Sequence, residues 1–211
     1  MARPVLFVLA GVNGAGKSSI GGIVLEQQGL TWFNPDTFAR DLRAATRCDL
    51  ETSNSLAWHE GMRRFDQALA KGRNLAFETT LGGVTVTRKV LEAIRTHDVL
   101  IWFCGLSSIE LHIARVGARV AAGGHPIPEK KIRERYRTAV VNLIQLLPDV
   151  AAVTVYDNSA EAAADGTIPD PDLLLEVQGG KVRWPRPQDL SVLARTPAWA
   201  KPIVEAAIRM G

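Results

Sequence analysis

Short apolar runs alternate along this chain with longer stretches whose apolar residues recur every three or four positions, the pattern of buried strands followed by amphipathic helices. Met1 to Ala10, ending VLFVLA, reads as a first buried strand, and SIGGIVLEQQ opens a helix that Gly29 stops. LTWF is a second short strand running into Asn34-Pro35-Asp36, after which TFARDLRAA begins a helix. Thr52 to Lys71 carries Leu56, Met62, Phe65 and Leu69 close to helical spacing and ends at Gly72. Leu75 to Phe77 form a strand with Glu78 at its end, followed by Thr79, Thr80 and a Gly82-Gly83 turn. VTRKVLEAIRTH predicts a further helix, and VLIWFCGL a strand apolar enough for the centre of a parallel sheet.

The second half continues the alternation. SSIELHIARVGARVAAGG predicts a helix capped by Ser107 or Ser108, with Ile109, Ile113, Val116 and Val120 on one face. Gly123-Gly124-His125-Pro126 breaks it, and Pro128 leads into EKKIRERYRTAVVNLIQLL. Asp149 to Asn158 returns to a strand, LLLEVQGGKVRWP reads as a hairpin over Gln178-Gly179-Gly180 closed by Pro185 and Pro187, and the last helix starts near Ala198. This order predicts a doubly wound α/β domain with a mainly parallel sheet and a C-terminal β-hairpin. The 211 residues are expected to form one domain, 1–211, with a helix–loop–helix excursion over about 107–137.

Chemistry enters at the first loop. Gly11 to Ser19, GVNGAGKSS, matches the phosphate-loop spacing G-x-x-x-x-G-K-[ST] in full and sits between a predicted strand and a predicted helix, which makes the fold a P-loop NTPase. A glycine turn without a ligand is the alternative, and the strand–loop–helix setting argues against it. In such a loop Gly11, Asn13, Gly14, Ala15, Gly16, Lys17, Ser18 and Ser19 bind the nucleotide: backbone N–H groups cradle the phosphates, Lys17 brings a mobile charge, and Ser18 a hydroxyl for Mg²⁺. Asp36 and Glu78 both follow predicted strands, so in a parallel sheet they face the same crevice as Lys17. Two carboxylates over a phosphate loop suit phosphoryl transfer, one as base for the acceptor hydroxyl and one for Mg²⁺ or its waters. Asp36 could instead only cap its helix. His59 and Glu60 read as solvated or locally bonded.

Net charge is +3, but Arg115 to Arg137 holds seven Lys/Arg against two acids, leaving 18 basic and 20 acidic residues elsewhere. That local excess suits an anionic ligand rather than nucleic acid, which calls for a broad basic face with interleaved aromatics, and only Tyr136 lies within it. Arg115 and Arg119, four apart, can address one phosphate group, and the segment reads as an arginine-bearing lid; a solvated charged face is the alternative. Asn158 lies in a polar turn at a strand end that opens toward the nucleotide. No apolar run is long enough to span a bilayer and the N-terminus lacks a cleavable apolar leader, so a cytoplasmic protein is expected. Cys48 and Cys104 are too few for a disulfide framework.

The order GVNGAGKSS, FNPDTFAR, FETTLGG, RVGARV, GGHPIPEKKIRERY and YDNS resembles the zeta-toxin family of P-loop kinases, also described as UDP-N-acetylglucosamine kinases, from about Val5 to Ser159. The resemblance implies an ATP- and Mg²⁺-dependent phosphotransferase in which Lys17 binds phosphates, Asp36 is the base on the acceptor hydroxyl, and Glu78 with Thr80 belongs to the acceptor and metal region. Its lid arginines are matched by Arg119 and either Arg133 or Arg135, of which Arg135 is taken as catalytic. Toxin members carry an arginine four residues after the strand-end Glu, where this chain has Gly82. The expected acceptor is a small molecule such as a nucleotide sugar; a metabolite, a nucleic-acid end, or a slow nucleotide switch are the alternatives. The chain has no N-K-x-D guanine signature. The resemblance leaves room for a proteinaceous antitoxin, which no residue here indicates.

Overall fold

The apolar run VLFVLA becomes β1 (Val5–Ala10), and in a computed structural model that describes residues 2–18, 21, 32–161, 169–186 and 188–210 it has hydrogen-bonded strands on both sides. It pairs in parallel with β3 (Leu75–Thr79) on one side and β4 (Asp98–Gly105) on the other. The two-residue strand β2 (Trp32–Phe33) extends the sheet beyond β3, and β5 (Ala152–Asp157) extends it beyond β4, both in parallel. β6 (Asp172–Gln178) and β7 (Lys181–Trp184) complete it as the antiparallel hairpin that the Gly179-Gly180 turn predicts. The order is β2-β3-β1-β4-β5-β6-β7. The α/β, mainly parallel fold is thus as expected. Apart from Gly21, the helix predicted from SIGGIVLEQQ, its Gly29 stop, the start of LTWF, Ser19 and Pro187 lie outside the described residues.

Seven helices are described: α1 (Pro35–Thr46), α2 (Leu50–Lys71), α3 (Val84–Ala93), α4 (Ile109–Ala121), α5 (Glu129–Leu146), α6 (Leu190–Arg195) and α7 (Lys201–Met210). One face of the sheet, with Leu6, Val8, Phe77 and Ile101, shares a core with Phe65 of α2, Val90 of α3, Leu143 of α5 and Ile203 of α7. Phe7, Leu9 and Ala76 form a second cluster, with Trp102 packed on it. Each large apolar side chain so buried contributes on the order of 1.5–3 kcal/mol.

The sheet's parallel section decides where chemistry can occur. β1 to β5 all end at one edge, so the segments after Ala10, Phe33, Thr79, Gly105 and Asp157 converge there, beside the point where β3 and β4 flank β1.

Three helical details differ from the apolar pattern. α2 buries Ser53, Ala57, Gly61, Phe65 and Ala68, while Leu56 is 47% exposed, because the small residues are the ones that let the helix approach the sheet. α4 buries His112 and Val116, and Val120 is left at the surface one turn beyond the packed part. α6 is too short to carry a legible period, and α7 begins three residues after Ala198.

Candidate functional site

Two close approaches fix the shape of the loop after β1. Gly11 has φ +138°, and a Cβ there would lie 2.1 Å from the Cys104 carbonyl oxygen on β4. Gly16 has φ +80°, and its Cβ would lie 2.3 Å from Asn158 Nδ2. Only glycine meets both demands, a left-handed or extended positive φ and no side chain. Asn158 Nδ2 donates to Ala15 O at 2.9 Å, and His112 Nδ1 donates to Asn13 O at 2.8 Å, so the end of β5 and the buried face of α4 hold the loop from two sides. Asn158 is therefore a brace for the loop's backbone.

Lys17 is 6% exposed, so it is not the freely exposed lysine that a loop position suggests. Its Nζ donates to Val12 O at 3.5 Å and lies 3.5 Å from Glu78 Oε1. Glu78, at the end of β3, also accepts from Ser18 Oγ at 3.2 Å and from Asn34 Nδ2 at 2.9 Å. Burial pushes the Glu78 carboxyl above the usual carboxylate range, and Lys17 and the Ser18 hydroxyl oppose that shift. Ser18 Oγ and the Glu78 carboxylate are hard oxygen ligands side by side, the donor set that fits Mg²⁺, which commonly takes one or two protein oxygens and completes its shell with phosphates and water.

The cap of α1 is Asn34, not Asp36. Asn34 Oδ1 accepts from Asp36 N at 2.8 Å and Thr37 N at 3.2 Å, which leaves the Asp36 carboxylate exposed and without a hydrogen bond or ion pair among the described residues. Asp36 lines a cavity of about 140 Å³ together with Asn13, Lys17, Glu78, Thr80 and Arg135. It also lines a larger cavity of about 530 Å³ with Gly14, Gly16, Ser18, Arg115 and Arg119. Thr80 Oγ1 accepts from Gly82 N at 3.4 Å.

The arginines separate by geometry. Arg135 Nη1 donates to Asn13 Oδ1 at 2.7 Å, and its stem crosses Gly82, where a Cβ would come 2.6 Å from Arg135 Cγ. The position at which toxin members have an arginine is thus the space through which Arg135 reaches the loop. Arg133 instead pairs with Glu129 and Glu110 on the exposed side of α5. Arg119 Nη2 donates to His125 O at 3.1 Å, and Arg115 donates to Asn158 O at 2.8 Å and Ala160 O at 3.0 Å. Glu60 holds Arg63 and Arg64, a local role. Arg40 and Arg43 of α1 join the 530 Å³ cavity and were not singled out from the sequence. Their spacing from Asp36, four and then three residues, puts all three on one helix face, and that was the available signal.

The base of the expected lid belongs to the packed body. Val116 of α4 and Ile132 and Ala139 of α5 are buried in the main core, while Gly123, Gly124 and His125 border the cavity.

His112 makes the loop's support pH-dependent. Burial pulls its pKa down to about 4, while the bond to Asn13 O works the other way. The unfolded chain then binds the extra proton below its ordinary value of about 6.5, so stability is complete above that pH and falls as pH drops toward 4. Urea unfolding at pH 5 should give a stability about 2 kcal/mol lower than at pH 7 from this group, and His112→Gln should flatten that difference. An unchanged difference in the variant would mean that other groups set the acid limit.

Comparison with known proteins bears on the same residues. No curated protein matches the chain. Among solved structures, a chain of the AvrRxo1-ORF1:AvrRxo1-ORF2 structure with sulphate ions superposes with a TM-score of 0.61 at 17% identity, covering 86% of this chain and 60% of its own length. A chain of the PezAT chromosomal toxin–antitoxin system of Streptococcus pneumoniae gives 0.56 at 19% identity, over 81% of this chain and 72% of that one. A candidate kinase from Chloroflexus aurantiacus gives 0.50 at 16% identity, over 58% and 70%. The family model described as zeta toxin matches residues 1–164, which contain the whole loop, both carboxylates and all the arginines of the site. The chain belongs to the zeta toxin family, a family of P-loop kinase-like proteins.

Proposed function

We propose that this protein is an ATP- and Mg²⁺-dependent kinase that moves the γ-phosphoryl group to a hydroxyl of a small molecule, with a nucleotide sugar as the leading acceptor class. The observation that carries the reading is the free carboxylate of Asp36. Asn34 takes over the helix cap, and Asp36 stands in the same small cavity as Lys17, Glu78 and Arg135. A carboxylate so placed accepts the proton of the attacking hydroxyl as the new O–P bond forms and ADP leaves. Lys17 and the loop N–H groups hold the phosphates, and Ser18 with Glu78 would hold Mg²⁺, which offsets charge on the transferring group.

Arg119 and Arg135 supply guanidinium groups from α4 and α5 to the same centre, and closure is assigned to the segment 122–128 between these helices. Arg119→Ala and Arg135→Ala should each lower turnover by about 10²- to 10³-fold while leaving the thermal midpoint close to that of the unaltered protein. Arg119→Lys should recover only part, because a point charge does not reproduce the planar fork. Arg133→Ala should retain near-normal turnover, since its partners are Glu110 and Glu129. Kinetics on these four variants test the assignment; equal losses for Arg133 and Arg135 would refute it. A proteinaceous partner is supported by the two-component AvrRxo1-ORF1:AvrRxo1-ORF2 structure and by the toxin–antitoxin system named for the PezAT structure, and co-purification from the native host tests for one.

A further inference from the structure

Trp199 lies in the turn before α7, beyond residue 164 where the match to the family ends, and its side chain reaches the edge at which the parallel strands finish. The indole Nε1–H donates to Asp157 Oδ2 at 2.7 Å, and Asp157 Oδ1 accepts from Ser159 N at 2.7 Å. Asp157 is the last residue of β5 and is buried, and among the described residues these two donors hold its carboxylate. The ring lies across Gly105, the last residue of β4, where a Cβ would come 2.3 Å from the indole Cη2. The Gly105 carbonyl in turn accepts from Asn158 N at 3.0 Å. Trp199 is thus wedged over the ends of β4 and β5, the two strands against which the phosphate loop rests.

From Asp157 the constraint passes one residue along the chain. Asn158 Nδ2 donates to Ala15 O at 2.9 Å and closes on Gly16, where there is no Cβ to block it. Other groups tie the same turn, Ser107 N to Ser159 Oγ and Arg115 to the carbonyls of Asn158 and Ala160, but the indole N–H is the donor that fixes the free end of the carboxylate. A buried carboxylate oxygen left without its donor turns to find another, which pulls on the Ser159 N bond and so on the peptides either side of Asn158. The backbone at Ala15 and Gly16 sets where the loop's N–H groups point, so a small turn of Asn158 misaims the phosphate cradle. Resting on the nucleotide-binding part of the kinase reading, we infer that Trp199 is a positioning residue for the bound nucleotide, acting through Asp157 and Asn158 on the phosphate loop. It does not line the nucleotide cavity itself. A role in the core alone asks for the ring and not for the N–H, and that difference can be measured.

The test titrates the full chain with AMP-PNP and Mg²⁺ by calorimetry and follows thermal melts of the same variants. Trp199→Phe keeps a ring over Gly105 and Phe103 and removes the donor, and it should weaken AMP-PNP binding about tenfold. Asp157→Asn has one acceptor oxygen for two donors and should do the same, which gives a second route if the tryptophan variant fails to fold. Ile203→Val thins the same core without touching the bond, and should lower the thermal midpoint while leaving AMP-PNP affinity unchanged. In Asn158→Ala, where the brace is already cut, adding Trp199→Phe should cost little further affinity. Full affinity in Trp199→Phe and Asp157→Asn, an equal loss in Ile203→Val, or a further tenfold loss in the Asn158→Ala background would each overturn the proposal. Titration of the unaltered chain separates the two levels: no binding there sinks the kinase reading and this inference with it, whereas binding that is indifferent to the indole donor sinks only this inference.

Discussion

Lys17→Ala should abolish nucleotide-dependent turnover while the chain stays folded. The amine sits at the centre of the loop, within 3.5 Å of both Val12 O and Glu78 Oε1, so a phosphate held by the loop has this cation as its nearest full charge. Loss of such a group from a water-poor site costs on the order of 3–4 kcal/mol of transition-state stabilisation, a factor of several hundred or more. Because Lys17 is buried against Glu78, the variant leaves a buried carboxyl without its cation. Glu78 keeps its bonds from Ser18 and Asn34, and its carboxyl is already shifted toward the neutral form, so the fold has a way to absorb the change. The check is a thermal melt with and without AMP-PNP and Mg²⁺. The unaltered protein should gain stability on ligand addition, and Lys17→Ala should show a near-normal midpoint and no gain. A normal ligand-induced shift together with normal turnover would remove the loop from the mechanism.

Asp36→Asn should leave ATP affinity nearly intact and depress phosphoryl transfer by about 10²- to 10⁴-fold, since the amide keeps the shape and cannot take a proton. Capping gives no competing account of such a loss, because the α1 N-terminus is satisfied by Asn34 Oδ1 at 2.8 and 3.2 Å. The complementary variant Asn34→Ala should behave differently: it loses the cap and one donor to Glu78, and should lower stability by about 1 kcal/mol. If Asp36→Asn melted early with undiminished specific activity, the two roles would be reversed and Glu78 would become the candidate base.

Local signals made much of this legible. The glycine and lysine spacing identifies the loop because each position answers to a short-range demand, and the strand-end rule finds Asp36 and Glu78 because parallel strands deliver their termini to one edge. The cap was also written in the chain: Pro35 at the first helical position makes the residue before it the cap, and weighing that would have favoured Asn34 over Asp36. Other features depend on partners far away in sequence. Lys17 is buried against Glu78, which lies sixty-one residues on, and Arg135 rather than Arg133 faces the loop because burial of Ile132 and Ala139 sets the rotation of α5. Trp58 is not one of the Leu56, Met62, Phe65 and Leu69 positions, and burial of the Ala57–Gly61–Phe65 face of α2 leaves its indole outward.

The most direct test of phosphoryl transfer to a small molecule is to supply γ-labelled ATP and Mg²⁺ with a panel of nucleotide sugars, sugar phosphates and nucleosides, and to follow where the label goes. Label should appear on one of these acceptors and be lost in Lys17→Ala and in Asp36→Asn. Label appearing only in inorganic phosphate, at a rate indifferent to the panel and to Asp36→Asn, would contradict that transfer.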